Sequence, residues 1–231
     1  MASNRSPLSS DRPPALSILA AVQLIEALVG AVARQAPEAA AWLRERLAFD
    51  RASFAPAFSA AGRKLGYTAI TDEDARAIPI PWPITGVDEC GRAALVAGAL
   101  EALPAAEHVV LVRDLIRRGE VRERQAVLRV LAGLPEPERF VDVAVDAFRT
   151  NVQSVFEALA CDNAFPARQF SAPQFAQLVL KALFVGAPVA RIVGLATRID
   201  DELVRMVEAY ASERRAAGRA VPEDAKLILR T

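Results

Sequence analysis

Apolar side chains recur every three or four residues along almost the whole chain, a spacing that puts them on one stripe of a helix and requires each stripe to be buried against another. No stretch shows the sustained apolar/polar alternation of a half-buried strand. The pattern predicts helices at 15–35, 37–49, 52–66, 87–102, 105–118, 120–132, 137–149, 151–161, 173–185 and 200–217. Apolar residues make up 53% of the chain and charged residues 24%, dominated by Ala, Leu, Val and Arg, which favours packed helices over a sandwich or a disordered polymer. At 231 residues a substantial core is within reach. The expected class is all-α, built of stacked antiparallel hairpins as a HEAT-like α-solenoid or right-angle helical array.

Punctuation fixes several ends. Ser171 and Gln174 have the spacing of a capping box, and Gly186 followed by Pro188 closes the same helix. The last long helix opens on Asp200, Asp201 and Glu202 and closes on Arg214 and Arg215, charges that complement its dipole. Between Ile78 and Ile84 the prolines 79, 81 and 83 alternate around Trp82 and force an extended strap. The chain therefore divides into a tail at 1–14, an N-terminal helical bundle at 15–78, a Pro-rich strap at 79–86 and a helical array at 87–231. A loose repeat links 125–131 (Gln-Ala-Val-Leu-Arg-Val-Leu), 153–159 (Gln-Ser-Val-Phe-Glu-Ala-Leu) and 177–183 (Gln-Leu-Val-Leu-Lys-Ala-Leu), as hairpin units stacked on one another would.

Twenty-eight basic residues balance twenty-eight acidic ones, leaving no excess charge to condense onto nucleic acid. Two cysteines and one histidine are too few for a disulfide framework or a Cys/His metal cage, so no metal or cofactor is expected and a reducing cytoplasm is the default. The apolar run from Ala15 to Ala33 has the outline of a signal peptide. Gln23, Glu26, Gly30 and Arg34 nevertheless form a polar stripe, opposite Leu19, Val22, Ile25, Leu28, Val29 and Val32, which fits an amphipathic helix and not a membrane span.

The glycine-rich phosphate loops, the nucleophile elbow and the paired-histidine zinc motif are all missing. His108 sits on an ordinary helix and reads as a surface or capping residue. The connection at 161–170 is polar and aromatic between two apolar helices, and its Asp162, Asn163 and Arg168 are placed either to hold a polar ligand or to turn the chain. Lys181 shares a helix face with Gln174 and Gln177; it is a functional amine if that face is buried and a snorkelling lysine if it is exposed. Trp82 is either presented by its strap or packed beneath it, and Arg214 joins the candidate binding set of Asp162, Asn163, Arg168, Gln177 and Lys181 at the C-terminal helices.

From Trp82 onward the residues form a recognisable series: Asp88, Glu89 and Arg92, then Arg149-Thr-Asn151 with Val155 and Phe156, then Asn163, Pro166, Phe170, Phe175 and Gln177. Leu-Lys-Ala-Leu-Phe at 180–184, Arg198, Glu202, Met206, Glu213-Arg214 and Ala-Gly-Arg at 217–219 complete it. In these segments the chain resembles the EboA family, with a departure at Ala176, where the family pattern prefers Asn. The resemblance covers about three-fifths of the chain, with almost nothing from residues 1–78. It implies a place in a bacterial gene cluster that makes or moves a small molecule, whose other products look like a prenyltransferase, metal-dependent hydrolases, a sugar-phosphate isomerase-like protein and a cyclase. The implied partners are those proteins or a small metabolite. No reaction attaches to the family itself, so the expectation is a non-catalytic adaptor or binding component, with an enzyme using Asp162, Asn163, Arg168 and Lys181 as the alternative.

Overall fold

The structure, a computed structural model, describes residues 14–229. Among these are thirteen α-helices: α1 (Pro14–Gln35), α2 (Pro37–Leu47), α3 (Arg51–Leu65), α4 (Asp72–Ala77), α5 (Val87–Ala102), α6 (Ala105–Arg118), α7 (Val121–Val130), α8 (Val141–Ala147), α9 (Gln153–Ala160), α10 (Ala164–Gln169), α11 (Ala172–Val185), α12 (Asp201–Ala216) and α13 (Lys226–Leu229). The described residues contain no strand, only one antiparallel bridge between Ala69 and Gly86. The protein is all-helical.

α5 is the axis of the core. Every residue from Val87 to Ala97 is buried, because α5 is packed by α1, α2 and α3 on one side and by α7 on another. Its small residues allow that crowding: a Cβ on Gly91 would stand 2.1 Å from the Leu65 side chain of α3. Beyond α5, alternate helices touch in succession, α5 on α7, α7 on α9, α9 on α11 and α11 on α12, while α6 packs against α7 and α8. The three segments with the shared Gln-led pattern lie on α7, α9 and α11, successive neighbours in that row.

Several sequence expectations are corrected. Three short helices, α4, α10 and α13, form where no helix was expected, each a turn or two held by local caps and tertiary contacts and too brief to show a period. The connection at 161–170 is consequently not a loop: Asn163 caps α10, which fills most of it. The helix expected at 137–149 is split, a 3₁₀ turn (Pro137–Phe140) leading into α8. In α1 the buried face runs through Ala21, Leu24, Leu28 and Val32, whereas Leu19 and Val22, expected on it, are exposed because each lies two residues, and so about half a helical turn, from the buried Ala21 and Leu24. The expected tail lies outside the described residues except for Pro14, the first residue of α1. No helix is long and apolar enough to cross a membrane among the described residues.

The proline segment is extended, as its composition requires. Ile78, Ile80 and Trp82 turn inward while Pro79 and Pro81 face out, the two-residue period of an extended chain. Two backbone bonds, Ile70 N to Thr85 O (2.8 Å) and Val87 N to Thr68 O (2.9 Å), tie its far end to the segment before α4.

Candidate functional site

A largely apolar cleft of about 780 Å³ lies between α9, α11 and α12. Phe156 of α9, Leu180 and Phe184 of α11, and Met206 and Tyr210 of α12 form its walls, and the 149–152 connection closes one end with Thr150 and Asn151. Each element is fixed locally. Ser171 and Gln174 make the expected capping box on α11, which ends at Gly186 in the left-handed region (φ 74°). Asp200 caps α12 through the Leu203 amide at 2.8 Å. Tyr210 reaches across to donate to the Leu183 carbonyl at 3.4 Å.

Lys181 lines this cleft without a carboxylate partner among the described residues. Its ammonium donates to the carbonyls of Phe148 (2.6 Å) and Thr150 (2.7 Å), closing the C-terminal end of α8, and lies 5.2 Å from the centre of the Phe156 ring. Two of its three protons are thereby used. Burial lowers its pKa, since the carbonyls give dipoles and no countercharge. Lys181 is half-buried, between the two expected cases, and its bonds cap a helix. Phe184 is the opposite case. It is 71% exposed, an aromatic on the same stripe as Gln174, Gln177 and Lys181.

The other sequence candidates do not converge here. Asp162, with a left-handed backbone (φ 50°), pairs with Arg191 at 2.9 Å and lines the cleft beneath the proline strap. Asn163 is 2% exposed and fully spent: Oδ1 accepts from the Phe165 amide (2.9 Å), while Nδ2 donates to Leu128 O (2.9 Å) and Ala158 O (3.0 Å), pinning α10 to α7 and α9. Arg168 is exposed at a third cleft, beside Gly133 and Pro135. Gln177 is exposed on α11. Arg214 donates to Ala220 O (2.6 Å) and stacks on Tyr210, so it supports the cleft wall from outside. Trp82 is 6% exposed, its Nε1 donating to Thr85 Oγ1 at 3.1 Å, which makes it a core residue of the strap. His108 is buried and bonds the Leu103 carbonyl at the end of α5.

The sequence assigned no site role to two groups. The wall residues Phe156, Met206 and Tyr210 look like ordinary helix positions, and only Phe184, an aromatic on a polar stripe, carried a signal. The second group is an ion cluster inside the core. Asp88 accepts from Arg92 (2.6 Å) and from Arg122 Nε (2.8 Å), and Glu89 accepts from Arg129 (3.0 Å). Burial raises the pKa of Glu89 against the pull of Arg129 and Arg122. The cluster bolts α5 to α7, with Arg92 reaching back to Phe58 O of α3 at 3.2 Å. Burial pushes the thiols of Cys90 and Cys161 up to about 12, which disfavours the thiolate. No group of His, Cys, Asp and Glu among the described residues is arranged to hold a metal.

A family model described as metabolite traffic protein EboA matches residues 24–228. No curated protein and no solved structure matches the chain. The match begins in α1, so the N-terminal helices, which contributed almost nothing to the sequence resemblance, are inside the family's span, as their packing on α5 requires. With the match running from α1 to α13, the chain belongs to the EboA family.

Proposed function

We propose that this protein is a non-catalytic helical binding component of a metabolite traffic system, and that the cleft between α9, α11 and α12 holds a small, largely apolar metabolite. The observation that carries the reading is the cleft itself. Its volume falls within the hundreds of Å³ typical of small-molecule sites, its walls are largely aromatic and aliphatic, and polar groups line it as well: Lys181, Thr150 and Asn151, with Gln153, Arg205 and Glu213. Phe184 remains exposed at its edge, as an aromatic anchor awaiting a contact would be. Lys181, with one proton uncommitted, orients a polar or acidic end of the ligand. In this reading the row α5, α7, α9 and α11 is a HEAT-like scaffold, the outer faces contact other products of the same bacterial gene cluster, and the protein works in the cytoplasm.

The test is native mass spectrometry of the full chain purified gently from its host. A co-purifying small molecule is expected, with its occupancy falling at least about tenfold in Phe184→Ala, the loss of roughly one buried aromatic contact. Wild-type protein carrying no small molecule, or one retained equally by Phe184→Ala, would remove the cleft from the function.

A further inference from the structure

A fourth cleft, of about 530 Å³, lies between α6, α7 and α8 on the other side of the 149–152 connection. Four arginines line it: Arg113 and Arg117 from α6, Arg124 from α7, and Arg149 just after α8. They face a single carboxylate, Asp146, which makes one exposed contact with Arg149 at 3.3 Å. The excess is three positive charges in one concavity of a chain whose formal net charge is zero.

The protein does not neutralise this concentration. Among the described residues, Arg113, Arg117 and Arg124 make no side-chain ion pair or hydrogen bond, and the Nε of Arg124 is buried with no acceptor at all. A buried guanidinium N–H without an acceptor is an interaction left incomplete. Arg113 and Arg117, four residues apart on one face of α6, repel each other. A solvated arginine stripe is the ordinary alternative, but such a stripe lies on a convex surface, interleaved with acids as Arg118 and Asp114 are on this same helix (3.6 Å). Here four arginines from three elements line one cleft with a single acid, Asp146, among them.

We propose that this cleft is a binding site for a multivalent oxyanion, a small molecule carrying a phosphate or diphosphate group. Guanidinium forks match the oxygen geometry of phosphate bidentately, and three uncompensated charges suit a di- or trianion better than a monoanion. Thr150 lines both clefts and adds a hydroxyl beside the arginines. The site is independent of the apolar cleft and stands or falls without it.

Calorimetric titration of the full chain with inorganic pyrophosphate, inorganic phosphate and sulfate tests it. Pyrophosphate should bind at least about tenfold tighter than phosphate, with affinity falling as salt is raised from about 50 to 200 mM. The double variant Arg113→Gln/Arg117→Gln changes two exposed side chains and so should fold as wild type, yet weaken pyrophosphate about tenfold or more. Arg124→Gln should do the same with an unchanged circular dichroism spectrum, whereas Phe184→Ala should bind pyrophosphate normally. Absence of pyrophosphate binding at low salt, or equal affinity in the arginine variants, would overturn the site. Arginine-dependent pelleting with phosphatidylglycerol vesicles that pyrophosphate cannot compete away would overturn the small-molecule assignment in favour of a lipid surface.

Discussion

At the scale of single residues, the environment decides what each charge contributes. Asp88 is 0% exposed and shared between Arg92 and Arg122. Its replacement by Asn leaves the buried Arg92 and the partly exposed Arg122 underneutralised and should cost about 3–5 kcal/mol, read as a lower urea midpoint. Asp162→Asn, at the more exposed pair with Arg191, should cost no more than about 1 kcal/mol by the same measurement. Asp74 supplies the clearest pH dependence. Burial alone would raise its carboxyl, but hydrogen bonds from the Thr71 amide, Arg34, the Thr71 hydroxyl and Gln35 outweigh that and hold it at about 2 against an ordinary 3.8. Because the folded value is the lower one, its contribution, about 2 kcal/mol, is complete above pH 4 and is lost as the pH falls through 2. Asp74→Asn should therefore lower stability at pH 7 and flatten the acid limb of the stability curve between pH 4 and 2. An acid limb unchanged by the substitution would mean that another carboxylate governs it.

At the scale of elements, two cations serve as caps. Lys181 closes the end of α8, and Arg198 closes α10 by donating to Pro166 O (3.0 Å), Ala167 O (3.0 Å) and Phe170 O (2.8 Å) while stacking on Phe175 at 4.4 Å. A six-residue helix cannot sustain itself, so α10 depends on these bonds and on Asn163 at its other end. Arg198→Ala should cost about 2–4 kcal/mol, since three carbonyls lose a charged donor, and should speed amide exchange of 164–169 before the rest of the chain. Ser171→Ala, which removes one arm of the capping box on the much longer α11, should cost only about 1 kcal/mol. These short helices and their caps were illegible in the sequence because six residues show no helical period, and the partners of Arg198 and Lys181 lie some thirty positions away in the chain. The capping box, Gly186 and the acidic start of α12 were legible because each acts within one turn.

At the scale of the whole molecule, α5 couples the two halves that composition divides at the proline strap. α1, α2 and α3 cover one side of α5, α7 covers another, and a single buried cluster runs from Leu24 to Ile228. Residues 15–78 should accordingly unfold together with 87–229, so that far-ultraviolet circular dichroism and the fluorescence of Trp42 and Trp82 give coincident denaturation curves. Two separated transitions would show an N-terminal bundle that folds alone. The helical class, most helix spans and the absence of the commonest catalytic motifs were determined by the sequence itself, because periodicity, capping and motif spacing are local properties of the chain. Which side chains meet was decided only by the tertiary structure. Asp162, Asn163, Arg168 and Lys181 are near neighbours in sequence, yet packing sends one to a cap, two to separate clefts and one to an apolar cleft it shares with α12. The four arginines of the arginine-lined cleft are spread over thirty-seven positions on three elements, and helical spacing makes neighbours only of Arg113 and Arg117. A cleft is a property of surfaces brought together after the helices pack, and the energy that brings them together is the burial of apolar stripes that carry no record of it.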